Sequence, residues 1–411
     1  MTLLRVIAVA VGWVIVNVAV AADPIRIAFI DPLSGSFANI GEVGLKHAQM
    51  AVDRINAKGG VLGGQKLEVV PFDSKANPQD AALALRQASD QGIRFVLHAA
   101  SSAVGAAILD AVAKHNTRNP DNTLIYLNHG AIEPTFTNER CNFWHFRFDA
   151  NQLMKIQAFT DAMARDEKVH KVYQINQDYS AGQLMSRETR AMLARKRPDV
   201  QIVGDELHPL GKVKDFAPYI AKIKASGADT VATNNWGNDI ALLIKAAKEA
   251  GLNVSWYAMY VYLTGTPAAM GDPGNNSVKT LMSWHPNIPG TELEAYANAY
   301  KARFKGDWGW LPGYLALHML AQAVDQAKST EPRKVALALE NMKYAGPTGE
   351  VWMRGEDHQL MQPLYVANFV KVGRDGVKYD AEGTGFGWHT EQRVEAKDTV
   401  LPHTCRMERS E

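Results

Sequence analysis

The chain has 411 residues, 46% hydrophobic and 21% charged, with 44 basic against 43 acidic residues and a net charge of +1. That length allows two domains with apolar cores, and the balance is ordinary for a globular protein. No basic run stands out, so no nucleic-acid partner is expected, because phosphate binding needs a concentrated cationic face.

The chain begins MTLLRVIAVAVGWVIVNVAVAADP, with one early cation, Arg5, an apolar run over 6–20, and small residues at Ala19, Ala21 and Ala22. This layout predicts a secretory signal peptide over 1–21, cut near Ala21, and hence export to the periplasm. The run is short for a membrane anchor. Export makes a disulfide possible, and the only two cysteines, Cys141 and Cys405, are expected to form one.

From Ile25 onward, strand-like and helix-like segments alternate. IRIAFID (Ile25–Asp31) is a β-branched run, and a helix over 40–57 puts Ile40, Gly44, Ala48, Ala51, Val52 and Ile55 on one face. KLEVVPFD (66–73) reads as a strand, and Asn77 with Pro78 starts a helix running to 91. RFVLHA (94–99), a helix over 103–115 and TLIYLN (123–128) follow. The order then restarts: helix 152–165, strand 171–176, helix 181–194, strand 200–207, helix 216–226, strand 229–234, helix 239–250, strand 254–260. Such alternation predicts two α/β lobes with doubly wound, mostly parallel sheets. Beyond 282 three helices are expected, at 292–304, 313–327 and 333–342, then a two-stranded end at 349–353 and 362–372 and a charged, irregular tail.

The glycine cluster GGVLGG, with Gly59, Gly60, Gly63 and Gly64, raises the question of a phosphate loop. Such a loop follows a strand and opens a helix. Here it ends a helix and precedes a strand, and no Lys-Ser/Thr pair closes it. A helix C-cap and a tight turn are the expected roles.

The stretch PLSGSFANIGEVGLKHAQMAVDRINAKGGVLGGQKLEVVPFDSKANPQDA resembles the N-terminal signature of type I periplasmic binding proteins, in the leucine/isoleucine/valine-binding group of ABC-transporter receptors. HAASSAVGAAI, LNHGAIEPTFT and NQDYSAGQ extend the resemblance over nearly all of the exported chain. It implies two lobes joined by three crossings, near 147–151, 283–288 and 360–365, closing on a small solute. Lobe 1 would hold 22–148 and 288–361, and lobe 2 would hold 149–287 and 362–411. The implied partners are the solute and a membrane permease, and the protein is expected to act as a monomer.

In open α/β sheets ligands lie beyond the carboxyl ends of the strands. That rule selects 32–37, 99–102 and 128–132 in the first lobe, and 176–179 and 234–239 in the second. Ser101-Ser102 opens a helix, so its hydroxyls and N–H groups can take a carboxylate, or serve as a plain cap. The resemblance places a ligand carboxylate at this Ser and at the Gly130-Ala131-Ile132 loop, where the family commonly has Ala-x-Thr and this chain has an apolar Ile132. It implies a cleft role for Tyr179 and an ammonium-pairing role for Asp239, although Asp239 is also well placed as a helix cap. Trp236 with Tyr257, Tyr260 and Tyr262, and Phe37 with His98 from the first lobe, supply aromatic rings to one opening. Two ligand classes follow: a zwitterionic amino acid, held by Asp239 and Ser101, or an aromatic or hydrophobic carboxylate stacked on Phe37, Tyr179, Trp236 and Tyr260. Ile132 and the rings favour the second.

No H-E-x-x-H spacing, His–Cys metal pattern or G-x-S-x-G turn occurs. No catalytic residue, metal or cofactor is expected. A secreted hydrolase and a sensory ligand-binding protein are the more distant readings.

Overall fold

The computed structural model describes residues 22–272 and 277–409, and the segment 1–21, expected to be a signal peptide, lies outside the described residues. Strands β1 (Ile25–Asp31), β2 (Leu67–Asp73), β3 (Phe95–His98), β4 (Ile125–Asn128) and β5 (His145–Arg147) pair in parallel, in the order β5-β4-β3-β1-β2. The residues of β1, β3, β4 and β5 are buried in nearly continuous runs, as in sheets covered on both faces, while the edge strand β2 is largely half-exposed. Helices α1 (Ala38–Ala57), α2 (Pro78–Asp90) and α3 (Ser102–Arg118) make the crossovers. The Asn77 side chain caps α2 by accepting from the backbone N–H groups of Gln79 and Asp80. Helix α1 ends where the Gly60 N–H bonds to the Ile55 carbonyl at 3.1 Å. Gly60 sits at φ +72°, and a Cβ there would lie 2.2 Å from the Gln65 carbonyl oxygen. The cluster is therefore a C-cap followed by a turn into β2.

The second sheet repeats the plan. Helix α4 (Gln152–Arg165) leads in. Then β6 (Lys171–Gln177), α5 (Ser180–Lys196), β7 (Gln201–His208), α6 (Ala217–Ala225), β8 (Thr230–Thr233), α7 (Asn238–Glu249), β9 (Ser255–Ala258), α8 (Thr266–Met270) and β10 (Val278–Met282) build a parallel array ordered β10-β9-β8-β6-β7. Helices α9 (Leu293–Phe304), α10 (Leu311–Ala327) and α11 (Pro332–Leu339) pack onto the core of the first sheet.

The C-terminal region departs from the sequence expectation. Instead of a two-stranded end, five strands form. Strands β11 (Lys343–Gly346), β12 (Gly349–Arg354) and β13 (Gln359–Met361) extend the first sheet, while β14 (Leu364–Lys371) and β15 (Phe386–Val394) extend the second. Strand β15, FGWHTEQRV, reads as irregular because its outer half alternates polar residues over a half-exposed edge. Assigning 362–411 wholly to the second lobe is also corrected. Past β15 the chain turns back to the first lobe: the Thr404 N–H bonds to Asn138 Oδ1, the Arg409 guanidinium bonds to Glu340, and Cys405 is disulfide-bonded to Cys141. The tail is thus a further covalent tie across the lobes, closing a loop of 264 residues.

The chain passes between the sheets after β5, after β10 and between β13 and β14. The first and third passages are bonded to each other, with Gln359 Nε2 donating to the Asp149 carbonyl and Gln362 Nε2 to the Phe148 carbonyl. Among the described residues no helix is long and apolar enough to cross a membrane, and no cluster of His, Cys, Asp and Glu could hold a metal ion.

Candidate functional site

A cavity of about 110 Å³ lies between the two sheets, at the carboxyl ends of the parallel strands. One ordered water needs only about 10–15 Å³ on this measure, so the space suits an organic molecule. The first lobe supplies Asp31 from the end of β1, the Ala99–Ser102 turn after β3, and His129, Gly130 and Ile132 after β4. The second lobe supplies Tyr179, Trp236 and the loop from Tyr260 to Thr264 after β9.

Ser101 and Ser102 both line the cavity at the start of the 17-residue helix α3. Ser101 holds φ +79°, a left-handed conformation that costs on the order of 1–3 kcal/mol in a non-glycine residue. Its carbonyl still accepts from the Gly105 N–H at 2.9 Å, so the strain turns the chain sharply into the helix. The free N–H groups of a helix start favour an anion. No Lys or Arg is among the described residues lining the cavity, so an anion would be held by neutral donors. Gly130 lies against Ala99, where a Cβ would come within 2.7 Å of the Ala99 Cβ, so only glycine lets these two loops converge. Ala131 does not line the space; its N–H bonds to Asn128 Oδ1 and its methyl faces Gly105 of α3.

The aromatic wall comes from both lobes. Tyr179 takes the N-cap position of α5, and its hydroxyl accepts from Trp236 Nε1 at 3.0 Å. Burial raises the Tyr179 phenol above its ordinary range, so the hydroxyl stays protonated and can donate. Phe37 stacks on the Trp236 ring at 4.3 Å between centroids. It backs the wall without lining the cavity, and joins the lobes together with the bond from Asn238 Nδ2 to the Ser36 carbonyl. Tyr260 and Tyr262 line the space just past the end of β9.

Three residues expected at the opening lie elsewhere. His98 is fully buried inside the first lobe, where Nδ1 accepts from the Tyr126 hydroxyl and Nε2 donates to the Ala100 carbonyl, both at 2.8 Å. As the last residue of β3 it points its ring toward Tyr126 instead of the cavity. The carboxylate of Asp239, 1% exposed, accepts from Gln177 Nε2 and from the Gly211 N–H, both at 2.8 Å. It secures its own lobe and does not line the cavity. Tyr257 turns away too, its hydroxyl donating to Asp166 Oδ2.

Other lining residues were not singled out from sequence. Trp310 and Asp307 sit in the loop before α10, while His47 and Gly44 come from α1. The face of α1 read as core divides: Ile40 and Gly44 line the cavity, whereas Ala48, Ala51, Val52 and Ile55 pack in the core. Two acids line the space, Asp307 and Asp31, of which Asp31 is 2% exposed. Burial raises the Asp31 pKa from the usual 3.8 to about 7, against the opposing bonds from the Ala100 and Ala99 N–H groups. His98 Nε2 lies 3.7 Å from Asp31, but its own pKa is lowered by burial to about 4, so the contact is not an ion pair at neutral pH.

The family model described as periplasmic binding protein matches residues 24–376. The chain is 31% identical over 405 residues to Leu/Ile/Val-binding protein homolog 4 of Brucella abortus (strain 2308), covering 95% of this chain and 94% of that one. It also matches the closed crystal structure of the leucine-, isoleucine-, valine-, threonine-, and alanine-binding protein of Brucella ovis, with TM-score 0.83, 30% identity and coverage of 95% and 100%. A Rhodopseudomonas palustris BisB5 solute-binding protein crystallised with 3,4-dihydroxy benzoic acid shares the fold, with TM-score 0.78, 18% identity and coverage of 91% and 98%. The two sheets, the crossings between them and these matches place the chain in the type I periplasmic binding proteins, within the leucine/isoleucine/valine-binding family of ABC-transporter receptors.

Proposed function

We propose that this chain is an exported, monomeric receptor of an ABC importer, that residues 1–21 are its signal peptide, and that it delivers a small aromatic or hydrophobic carboxylate to a membrane permease. The observation that carries the ligand class is the pairing inside one cavity of the α3 N-terminus at Ser101 and Ser102 with the rings of Tyr179, Trp236 and Tyr260. The carboxylate accepts from neutral donors on the first lobe, and the apolar body stacks on rings of the second. Binding to one lobe and closure by the other shifts the population toward a closed form, which the permease recognises. The Phe37–Trp236 stack and the Asn238–Ser36 bond are the contacts that such closure makes.

Commitment of Asp239 to Gln177 and Gly211 supports this reading, since it removes the expected partner of a ligand ammonium. The second reading, a hydrophobic amino acid, draws on Asp31, whose carboxyl lines the cavity and could take that ammonium instead. Relatives stand on both sides: the Brucella ovis protein is named for branched-chain and small amino acids, while Rhodopseudomonas palustris neighbours were crystallised with benzoates. A melting-shift screen over benzoate, cinnamate, leucine and valine separates the two. Stabilisation by the aromatic acids supports the first reading, and stabilisation by leucine alone overturns it. Recovery of the acid unchanged after incubation distinguishes a receptor from a hydrolase.

A further inference from the structure

Buried polar atoms normally find partners. Two histidines of the cavity wall each keep one ring nitrogen without a protein partner. These are His47 Nε2, on a residue 9% exposed, and His129 Nε2, on a residue 2% exposed. Other partnerless ring nitrogens, in His145, His285, His318 and His403, belong to residues away from the cavity.

The hydrogen bonds on the opposite side of each ring set its tautomer. Trp310 Nε1 donates to His129 Nδ1 at 2.9 Å. An indole N–H can only donate, so Nδ1 carries the lone pair and the neutral ring has its proton on Nε2. His129 therefore offers a donor. The Asp307 backbone opposes the effect of burial on His47 and favours its protonated form, as a carbonyl acceptor facing the ring does. With Nε2 unbonded, Nδ1 is the nitrogen that donates, and Nε2 offers a lone pair. Burial lowers both rings to about 3, so they stay neutral through the physiological range.

We infer that His47 and His129 form a polar subsite that selects solutes carrying a hydroxyl group, which accepts from His129 Nε2–H and donates to His47 Nε2. A hydroxyl is the smallest group that answers one donor and one acceptor at once. A bare hydrocarbon edge would leave both nitrogens buried and unpaired, and such sites discriminate strongly against analogues that lack the group. This inference rests on the proposed carboxylate reading: the serines at α3 hold the acid, and the histidine pair reads the substituent.

The test compares the three hydroxybenzoate isomers with benzoate and with the methyl ethers of those isomers, by calorimetry on the intact protein. The expected result is that at least one isomer binds about tenfold or more tighter than benzoate. Its methyl ether, which accepts but cannot donate, should lose that advantage. The advantage should persist from pH 5 to 8. In His47→Phe, checked for folding by its melting profile, hydroxylated and plain acids should bind alike. Equal binding of hydroxylated and plain acids by the unmodified protein overturns the histidine subsite and leaves the carboxylate reading intact. Failure to bind any of these acids overturns both. The comparison of ligands on the unmodified protein holds even if His47→Phe does not fold.

Discussion

Replacing Asp31 by Asn should stabilise the protein, and more at high pH than at low. Asp31 is buried at the cavity wall, with Oδ1 accepting from the Ala99 N–H at 3.2 Å and the Ala100 N–H at 2.7 Å. An Asn Oδ1 can keep both bonds while removing the charge. Burial raises the Asp31 pKa from 3.8 to about 7. The folded value lies above the unfolded one, so between them the native state holds a proton that the unfolded chain has released. Stability therefore falls as the pH rises across that window and levels off above pH 7. The displacement is about three pH units, so the penalty grows from about 1.5 kcal/mol at pH 5 to about 4 kcal/mol at pH 8. Around the carboxyl, His98 is neutral with its pKa near 4, and the Tyr126 phenol is raised by burial, so neither changes charge in that interval. Scanning calorimetry of both proteins at pH 5 and pH 8 should show the Asn variant melting higher, with the larger gain at pH 8. An equal or smaller gain at pH 8 would refute the buried, proton-holding carboxyl. The same group makes binding pH-dependent. A bound carboxylate favours protonated Asp31, so affinity for an aromatic acid should fall as the pH rises through about 7 in the native protein and stay flat in Asp31→Asn.

Tyr179→Ala should weaken binding by about five- to tenfold, from loss of roughly 1 kcal/mol of ring contact, with little change in melting temperature. An equal loss of stability would make Tyr179 a packing residue. Phe37→Ala removes the ring stacked on Trp236 across the lobes. Its expected effect is a faster ligand off-rate in stopped-flow fluorescence with a near-native melting point, and an unchanged off-rate would remove Phe37 from closure. Cys405→Ser frees the tail from Cys141. Opening a loop of 264 residues should lower stability by up to about 5 kcal/mol, seen as a lower melting temperature that reductant no longer shifts. A variant that melts like the native protein would mean that the tail's bonds at Asn138 and Glu340 hold it unaided.

The alternation of strand and helix was legible because each parallel strand is a short apolar run and each helix carries an apolar stripe. The family signature added the crossings. In the tail the Cys141–Cys405 bond was legible, because the chain has only two cysteines, but the path to it was not: β15 is a polar edge strand, and its continuation is held by side-chain bonds over long sequence separations. At the site, the rule that ligands sit beyond strand ends selected four loops that contribute to the cavity wall and one, 32–37, that does not line it. It could not say which way a side chain turns. His98 ends β3 facing Tyr126, whereas Asp31, at the matching end of β1, lines the cavity. Asp239 has both the look of a ligand acid and that of a local anchor, and the Gln177 and Gly211 bonds decide for the anchor. Trp310 reaches the cavity from a loop 181 residues beyond its partner His129, a distance over which no local pattern carries information.

Isothermal titration calorimetry of the protein with a benzoate or hydroxybenzoate and with leucine, side by side, addresses the central claim most directly. The expected result is saturable one-to-one binding of the aromatic acid, with leucine much weaker or silent. Tight binding of leucine with no heat from any aromatic acid would contradict it.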